Sequence, residues 1–490
     1  MPGTRHGAVR DLRSFTDAHA AVAYITELYE GAVGRIRQRY QQFVAGNHTA
    51  QPTLDACYPY IGIEVGVEHL VTVARPAYGS LRNPGVHGTT LTRPDLFAGY
   101  YREQIELLLK HHRVPVQIGV SRQAIPLPFV IEEATADLDR EQLRAMESVF
   151  YLPNLGQIDD AIANGTYRTP SGHPYPLALF PAQRADLALQ RLYHYTGTDP
   201  SHFQGFVLFT NYQRYVDDFI AYGRQQVEQG CEYAAFVEPG DVITPNPRFS
   251  QGRARGRPAA HLPPMPAYHL VSEDRLGITL INIGFGPSNA KTVTDHLAVL
   301  RPHGWLMVGH CGGLRRSQQL GDYVLAHAYI REDHVLDQDL PLWVPLPTIA
   351  EVQVALQSAV VQITGLTGVD VKTRLRTGTV ATTDNRNWEF RYEELYERFS
   401  QSRAIAVDME SATIAANGFR LRVPYGTLLC VSDKPMHGEL KLRSMANAFY
   451  RTRINQHLSI GLETIRILKE GGVDALHSRK LRSFDEPAFR

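Results

Sequence analysis

The segment that most constrains the fold spans residues 403–435 and has the sequence RAIAVDMESATIAANGFRLRVPYGTLLCVSDKP. A short apolar run ends in the carboxylates Asp408 and Glu410, an alanine-rich stretch follows, and a second apolar run ends at Asp433. Strand, helix and strand in this order build an α/β sheet, and the binding sites of such sheets lie at the carboxyl ends of their strands. The segment therefore predicts an α/β fold with a site beside these acids.

Two glycine-rich loops fall at strand ends elsewhere in the chain. The first, GFGPSNAKT, follows one predicted strand and opens a helix, and the second, GHCGGL, follows the next strand. Free N–H groups at a helix start bind anions and hydroxyls, which makes Ser288 and Asn289 candidate ligand contacts. A loop of this kind is also a common structural turn. In the second loop, His310 is a candidate ligand contact, whereas Cys311 is predicted to be a small core residue.

Three side chains near these loops allow two interpretations each. Trp388, in the segment TTDNRNWE, either stacks on a flat base or holds its loop against the core. Asp408 and Asp433 are each able to serve as a helix N-cap, the usual role of aspartate at a strand-to-helix turn. A catalytic interpretation gains weight because the glycine loops and the acids all fall at one edge of the predicted sheet.

The length of the chain and its local composition predict two domains. A chain of 490 residues is too long for one ordinary core. We expect an N-terminal α+β domain at residues 1–175 and a catalytic domain at residues 176–490, with a boundary in a stretch rich in Gly, Pro and Asn. Residues 238–266 are rich in Pro, Gly and Arg, which predicts a loop excursion from the second domain.

Charge and cysteine content exclude several classes of function. Lys and Arg together number 50, as do Asp and Glu, so the net charge is zero and predicts no bulk attraction to nucleic acid or to a membrane. No apolar run approaches the roughly 18 residues of a membrane span. The four cysteines are scattered, which argues against a disulfide framework and predicts a cytoplasmic protein. We see no cluster of metal ligands.

Several segments carry a resemblance to a known family. They are GFGPSNAKTVTDHLAVLRP, GHCGGLRRSQQLGDYVLAHAYIREDHVLD, RLRTGTVATTDNRNWE, VDMESATIAANG and VPYGTLLCVSDKP. With them the chain resembles the nucleoside phosphorylase/nucleosidase superfamily. The N-terminal segment TTLTRPDLFAGYYREQIELLLK extends the resemblance to the bacterial AMP nucleosidases, because simple phosphorylases lack this module. The resemblance implies a catalytic domain with a mixed sheet flanked by helices, plus a smaller α+β domain that is regulatory or specific to this family.

The resemblance also implies roles for individual residues. Asp433 matches the acid that protonates or hydrogen-bonds N7 of the purine, and Glu410 matches the residue that binds the ribose hydroxyls. Met409 is expected to pack under the sugar, and Trp388 to lie in the base-recognition segment. Arg214 matches an arginine that phosphorylases use for anions, and we expect it to hold a 5′-phosphate instead.

One departure from the phosphorylase pattern concerns the nucleophile. Phosphorylases carry an arginine and a serine where this chain has Met307 and His310. Without that anion site, inorganic phosphate is a poor nucleophile, and water is expected to take its place. The resemblance therefore implies hydrolysis of AMP to adenine and ribose 5-phosphate.

The resemblance implies further properties and leaves alternatives open. It implies a purine salvage role, no cofactor, activation by ATP, inhibition by phosphate, a small-molecule substrate and a homohexamer. A purine nucleoside phosphorylase is the nearest alternative. A nucleotide-binding regulator without catalysis is the alternative from another class, although a regulator has no need for an acid at N7.

Overall fold

The computed structural model describes residues 9–46, 54–70, 78–131, 138–250, 254–439, 448–476, 481–484 and 486–490. The chain divides into two compact units, Met1–Gln190 with Arg482–Arg490, and Arg191–Leu481. The division falls after residue 190, which is 190 − 175 = 15 residues beyond the predicted boundary.

The N-terminal unit is an α+β unit, as predicted. Its elements are β1 (Arg10–Phe15), α1 (Ala18–Val44), β2 (Cys57–Val65), β3 (Gly85–Thr90), α2 (Pro94–His112), β4 (Val116–Ala124), α3 (Arg140–Val149) and β5 (Tyr175–Pro176). The strands form one sheet in the order β1-β4-β2-β3-β5. Helix α1 contributes Tyr29, Ala32, Val33 and Ile36 to a buried cluster. This spacing places the four side chains on one helix face, which explains why the segment is helical.

Helix α4 (Ala182–Thr196) explains the position of the boundary. Ala182 packs in the buried cluster of the N-terminal unit, and the Asp186 carboxylate accepts a hydrogen bond of 2.6 Å from the Tyr58 hydroxyl. The carbonyl of Tyr195, near the end of the same helix, accepts from the N–H of Met265 in the second unit. The chain therefore passes from one unit to the other within a helix, where no change of composition marks it.

The second unit has the expected mixed sheet and flanking helices. Its elements are β6 (Phe206–Thr210), α5 (Gln213–Glu228), β7 (Ala235–Glu238), β8 (Val242–Pro245), β9 (Ala267–Val271), β10 (Ile278–Asn282), α6 (Pro287–Leu297), β11 (Gly304–Gly313), β12 (Tyr323–Glu332), α7 (Ala350–Thr364), α8 (Gly368–Arg374), β13 (Leu375–Thr383), α9 (Tyr392–Gln401), β14 (Ala404–Asp408), α10 (Ser411–Leu421), β15 (Tyr425–Asp433) and α11 (Ala448–Glu470).

The sheet of this unit closes on itself over part of its width. Its order is β14-β13-β12-β15-β11-β6-β10-β9-β7-β8, and β14 also pairs with β11. That additional pairing is antiparallel and joins Gly312 to Val407 and Gly313 to Ala406. Because it involves only the last residues of both strands, the carboxyl end of β14 meets the carboxyl end of β11.

The parallel strands bring further carboxyl ends to the same edge. Strand β11 runs parallel to both β15 and β6, and β6 runs parallel to β10. The residues that follow β6 and β10, and those that end β11 and β15, therefore share one edge of the sheet. This arrangement confirms the predicted location of the acids and glycine loops.

The predicted excursion at residues 238–266 is only partly a loop. Strand β8 lies inside it and pairs with β7 in an antiparallel hairpin, with Glu238 opposite Val242. Gly240 and Asp241, which connect the two strands, have φ angles of 88° and 52°. The prediction followed the Pro, Gly and Arg content and overlooked the β-branched residues Val242, Ile243 and Thr244, which favour a strand. Residues 251–253 of this segment lie outside the described residues.

No single helix in the described parts of the chain is long and apolar enough to cross a membrane. One bent pair, α7 with α8, passes this test by length and composition only.

Candidate active site

Glu410 is held by two loops that are distant in the sequence. Its side chain is buried, with 1% of the residue exposed, and it lies between β14 and α10. The Oε2 atom accepts a hydrogen bond of 3.0 Å from Nδ2 of Asn211, which follows β6. The Oε1 atom accepts one of 2.7 Å from the backbone N–H of Gly286, in the loop between β10 and α6. The ends of two parallel strands therefore converge on this carboxylate.

Gly286 directs its N–H at Glu410 through an unusual backbone conformation. Its φ angle is 102°, in a region that residues with a Cβ rarely adopt. An added Cβ would meet no atom within 4 Å, so the backbone conformation and not the available space requires glycine here.

Asp408 has a structural role, as one of the two interpretations predicted. Its Oδ1 accepts a hydrogen bond of 2.6 Å from the Thr382 hydroxyl, and its Oδ2 accepts one of 3.0 Å from the backbone N–H of Ser411 and another from the Ser411 hydroxyl. Ser411 is the first residue of α10, so the Asp408 carboxylate satisfies a donor that the helix start would leave unpaired.

Burial raises the proton affinity of both acids. Burial is the main cause that raises the pKa of Glu410 to about 8, and the nearby Asp408 carboxylate adds to it, while the donors Gly286 and Asn211 act in the opposite direction. Burial also raises the pKa of Asp408 to about 6. Burial therefore favours the protonated form of Glu410 before a ligand binds.

Asp433 ends β15 and lies opposite Gly312 of β11. The residue is half-buried, and its Oδ1 accepts a hydrogen bond of 2.6 Å from the hydroxyl of Ser432. The next residue, Lys434, forms an ion pair of 2.5 Å with Glu439. Asp433 is the last residue of its strand and does not begin an α-helix: only a three-residue turn, Pro435–His437, follows. The structure therefore does not support the helix-cap interpretation of Asp433.

His310 lies between two tyrosines at the carboxyl end of β11. Its ring centroid is 4.3 Å from that of Tyr212, and its Nε2 is 3.0 Å from the hydroxyl oxygen of Tyr215. The residue is half-buried, whereas Met307, on the same strand, is fully buried. Cys311 is buried as well, which confirms its prediction as a core residue.

Two family models and a named relative match the chain over most of its length. The family model described as "Bacterial AMP nucleoside phosphorylase N-terminus" matches residues 20–174, and the model "Phosphorylase superfamily" matches residues 268–466. A protein of Escherichia coli (strain K12) named AMP nucleosidase is 52% identical over 419 residues, which cover 84% of this chain and 85% of the relative. The chain belongs to the AMP nucleosidase family.

Two more distant matches concern relatives of this AMP nucleosidase family. A uridine phosphorylase of Thermococcus kodakarensis is 24% identical over 235 residues, 42% of this chain and 79% of the relative. A crystal structure of AMP nucleosidase from Bacteroides thetaiotaomicron is 28% identical, covers 59% of this chain and 98% of that one, and superposes with a TM-score of 0.42.

In this member of the AMP nucleosidase family, Trp388 does not have the position predicted for a base contact. It is 6% exposed and packs in a cluster with Leu314, Leu395 and Phe399. Its ring meets that of Phe399 edge to face at 5.7 Å. Trp388 therefore holds its loop against the core, and the base-stacking interpretation is wrong.

The other predicted contacts occupy varied positions. Asn289 donates to the carbonyls of Ile283 and Phe285, so its side chain braces the glycine loop. Ser288 is exposed in the first turn of α6, and Met409 is half-buried beside Glu410. Arg214 lies on α5, with its guanidinium 2.5 Å from Oδ1 of Asn455 on α11 and 4.0 Å from Asp218.

Sequence reasoning missed several residues that shape the site. Asn211 and Gly286 hold Glu410, and Tyr215 contacts His310. Phe285, between the two glycines of its loop, is 54% exposed, and the Arg386 guanidinium lies 4.5 Å from its ring centroid. The signal for Phe285 in the sequence was an aromatic residue between two glycines. In the described part of the chain, no group of three or more potential metal ligands occurs.

Proposed function

We propose that this chain is an AMP nucleosidase, which hydrolyses the N-glycosidic bond of AMP to adenine and ribose 5-phosphate. The observation that carries the proposal is the 52% identity to a protein named AMP nucleosidase over 84% of the chain. The arrangement of two acids at one sheet edge supports it, because cleavage of this bond needs one group for the base and another for the sugar.

Asp433 is the proposed acid for the base. Adenine is a poor leaving group as an anion, and a proton delivered to N7 lets it depart as a neutral molecule. The hydroxyl of Ser432 donates to Oδ1 of Asp433. That hydrogen bond orients the carboxyl group, whose proton is the one proposed to pass to N7.

Glu410 is the proposed group for the sugar. Ribose hydroxyls that donate hydrogen bonds to this carboxyl favour its charged form and so lower its raised pKa on binding. The resulting carboxylate stabilises the positive charge that develops on the ribose as the bond to adenine breaks. Asn211 and Gly286 occupy one lone pair on each oxygen and hold the group in position without neutralising it.

Water is the proposed nucleophile. The phosphorylase pattern requires an arginine and a serine where this chain has Met307 and His310, and Met307 is fully buried. A buried thioether cannot hold inorganic phosphate. The proposed contact of Arg214 with the 5′-phosphate requires its guanidinium, which is about half exposed, to exchange Asn455 for the ligand.

Further parts of the proposal rest on the family resemblance alone. They are a role in purine salvage, a cytoplasmic location, assembly as a homohexamer, activation by ATP and inhibition by phosphate. The N-terminal unit is the proposed regulatory part of the chain.

Product analysis tests the proposed reaction. AMP, adenosine and IMP are incubated separately with the full chain, with and without phosphate, and the products are separated by chromatography. We expect adenine and ribose 5-phosphate from AMP without added phosphate. Ribose 1-phosphate formed from adenosine only when phosphate is present would show a phosphorylase. Binding of AMP without turnover would show a regulator.

The pH dependence of kcat/KM is expected to report the ionisation of Glu410, which the nearby Asp408 carboxylate influences. The raised pKa of Glu410 predicts that kcat/KM for AMP rises with pH through about 8, because the unliganded carboxyl must lose its proton to act. Asp408→Asn is expected to shift this ionisation to lower pH, since it removes a like charge but retains an oxygen to cap α10. The profile is measured from initial rates at constant ionic strength. An ionisation near pH 8 that persists in Glu410→Gln would contradict the assignment.

A further inference from the structure

A chain of hydrogen bonds connects His310 to a buried backbone carbonyl. His457 of α11 is fully buried, and its Nε2 lies 3.0 Å from the carbonyl oxygen of Leu428. Its Nδ1 lies 2.8 Å from the hydroxyl oxygen of Tyr215, which is itself 3.0 Å from Nε2 of His310. Four groups on β15, α11, α5 and β11 are therefore joined in one line.

The direction of every hydrogen bond in this line follows from its buried end. A carbonyl only accepts, so Nε2 of His457 donates to Leu428. Burial lowers the pKa of His457 to about 3, so its ring is neutral and Nδ1 accepts. The single hydroxyl proton of Tyr215 is thereby committed to His457. The Tyr215 oxygen must then accept from His310, which places a proton on Nε2 of His310 and makes Nδ1 the basic nitrogen of its neutral ring.

His310 shares its neighbours with the groups proposed to hold the substrate. Tyr212, whose ring packs against that of His310 at an interplanar angle of 51°, directly follows Asn211, the donor to Glu410. The strand that carries His310 pairs with the strand that ends at Asp433. A half-buried imidazole thus lies at the same strand ends as both acids.

We propose that His310 is the base that activates the attacking water, with Tyr215 and His457 as positioning residues that fix its tautomer. This inference rests on the proposed hydrolysis of AMP. In the step, the water oxygen forms a bond to C1′ while the C1′–N9 bond breaks and its electron pair leaves with adenine. One water proton passes to Nδ1 of His310, and the Asp433 proton passes to N7. The resulting imidazolium and carboxylate return to their starting states through proton exchange with solvent.

Rescue by an anionic nucleophile tests the role of His310. Azide attacks C1′ without losing a proton, so it needs no base. In His310→Ala and His310→Gln we expect kcat for hydrolysis to fall about 10²- to 10⁴-fold with KM little changed. Azide is then expected to restore adenine release and to yield ribosyl azide 5-phosphate. The glutamine variant keeps an amide donor for Tyr215, so it controls for loss of packing.

Asp433→Asn is the matched control. This variant lacks the acid that protonates adenine, so azide should not restore adenine release. Unimpaired hydrolysis in both His310 variants, a rise in KM alone, or failure of azide to restore adenine release would overturn the proposal. Absence of AMP hydrolysis by the unsubstituted chain would instead refute the proposed function, so the two failures are distinguishable.

Tyr215→Phe tests by itself the chain of hydrogen bonds that positions His310. It removes the oxygen that accepts from His310 and leaves the ring in place. We expect kcat to fall about 10- to 100-fold at unchanged KM, the range found when the partner that orients a metal-bound histidine is removed. Azide should restore adenine release in this variant too, because azide needs no base and the loss lies in the activation of water. An unchanged kcat would show that the hydrogen-bonded chain has no part in the reaction.

Discussion

Asp433→Asn is expected to lower kcat for adenine release about 10²- to 10⁴-fold, while AMP still binds. Asparagine has the same shape and still accepts from the Ser432 hydroxyl through its Oδ1, but it has no proton to give to N7. The measurement is adenine release at saturating AMP, with AMP affinity determined separately by calorimetry. Full activity in this variant would disprove the acid role.

A substrate that needs no acid is the sharpest control for Asp433. In 4-nitrophenyl riboside 5-phosphate, the leaving group departs as a stable phenolate without protonation. Asp433→Asn should cleave this compound at nearly the rate of the unsubstituted chain. Equal losses on both substrates would show that the substitution damages the site and not the proton transfer.

Glu410→Gln is expected to lower kcat about 10²- to 10³-fold, the usual loss when one group that stabilises a developing charge is removed. The neutral amide cannot offset positive charge on the ribose. Its NH₂ group also faces either the Gly286 N–H or the Asn211 amide donor, so one of the two hydrogen bonds becomes a contact between donors. The measurement is kcat for AMP together with thermal unfolding.

Asp408→Asn is the comparison for Glu410→Gln, because it also removes a buried carboxylate, two residues away. Since Asp408 holds the start of α10, its loss should affect stability more than kcat at the pH optimum. If Asp408→Asn lowered kcat as much as Glu410→Gln, the separate roles assigned to the two acids would be wrong.

The sequence predicted the features that lie along strands. Glu410 and Asp433 were found because each follows an apolar run, and strand direction then fixes the edge at which both lie. The partners of Glu410 were not found, because Asn211 and Gly286 reach it only through the register of β6 and β10 and the closure of the sheet by β14 and β11. No local pattern carries that information.

The errors in prediction arose where packing decides the outcome. Trp388 follows a strand in a polar loop, and only the cluster with Leu395 and Phe399 turns its ring inward. Strand β8 was predicted as part of a loop because most of residues 238–266, which contain it, are rich in Pro, Gly and Arg. Tyr215, which contacts His310, and His457, which contacts Tyr215, come from two helices that are more than 200 residues apart in the sequence.

The short pairing between β14 and β11 has a consequence for how such a site diverges. The spacing between the backbone segments that precede Glu410 and Asp433 is set by the pairing of β14 and β15 with β11. Side chains at positions such as Met307 and His310 can therefore be exchanged while both acids stay in place. A change of nucleophile then requires substitutions on β11 alone, and the strand pairing of the sheet stays the same.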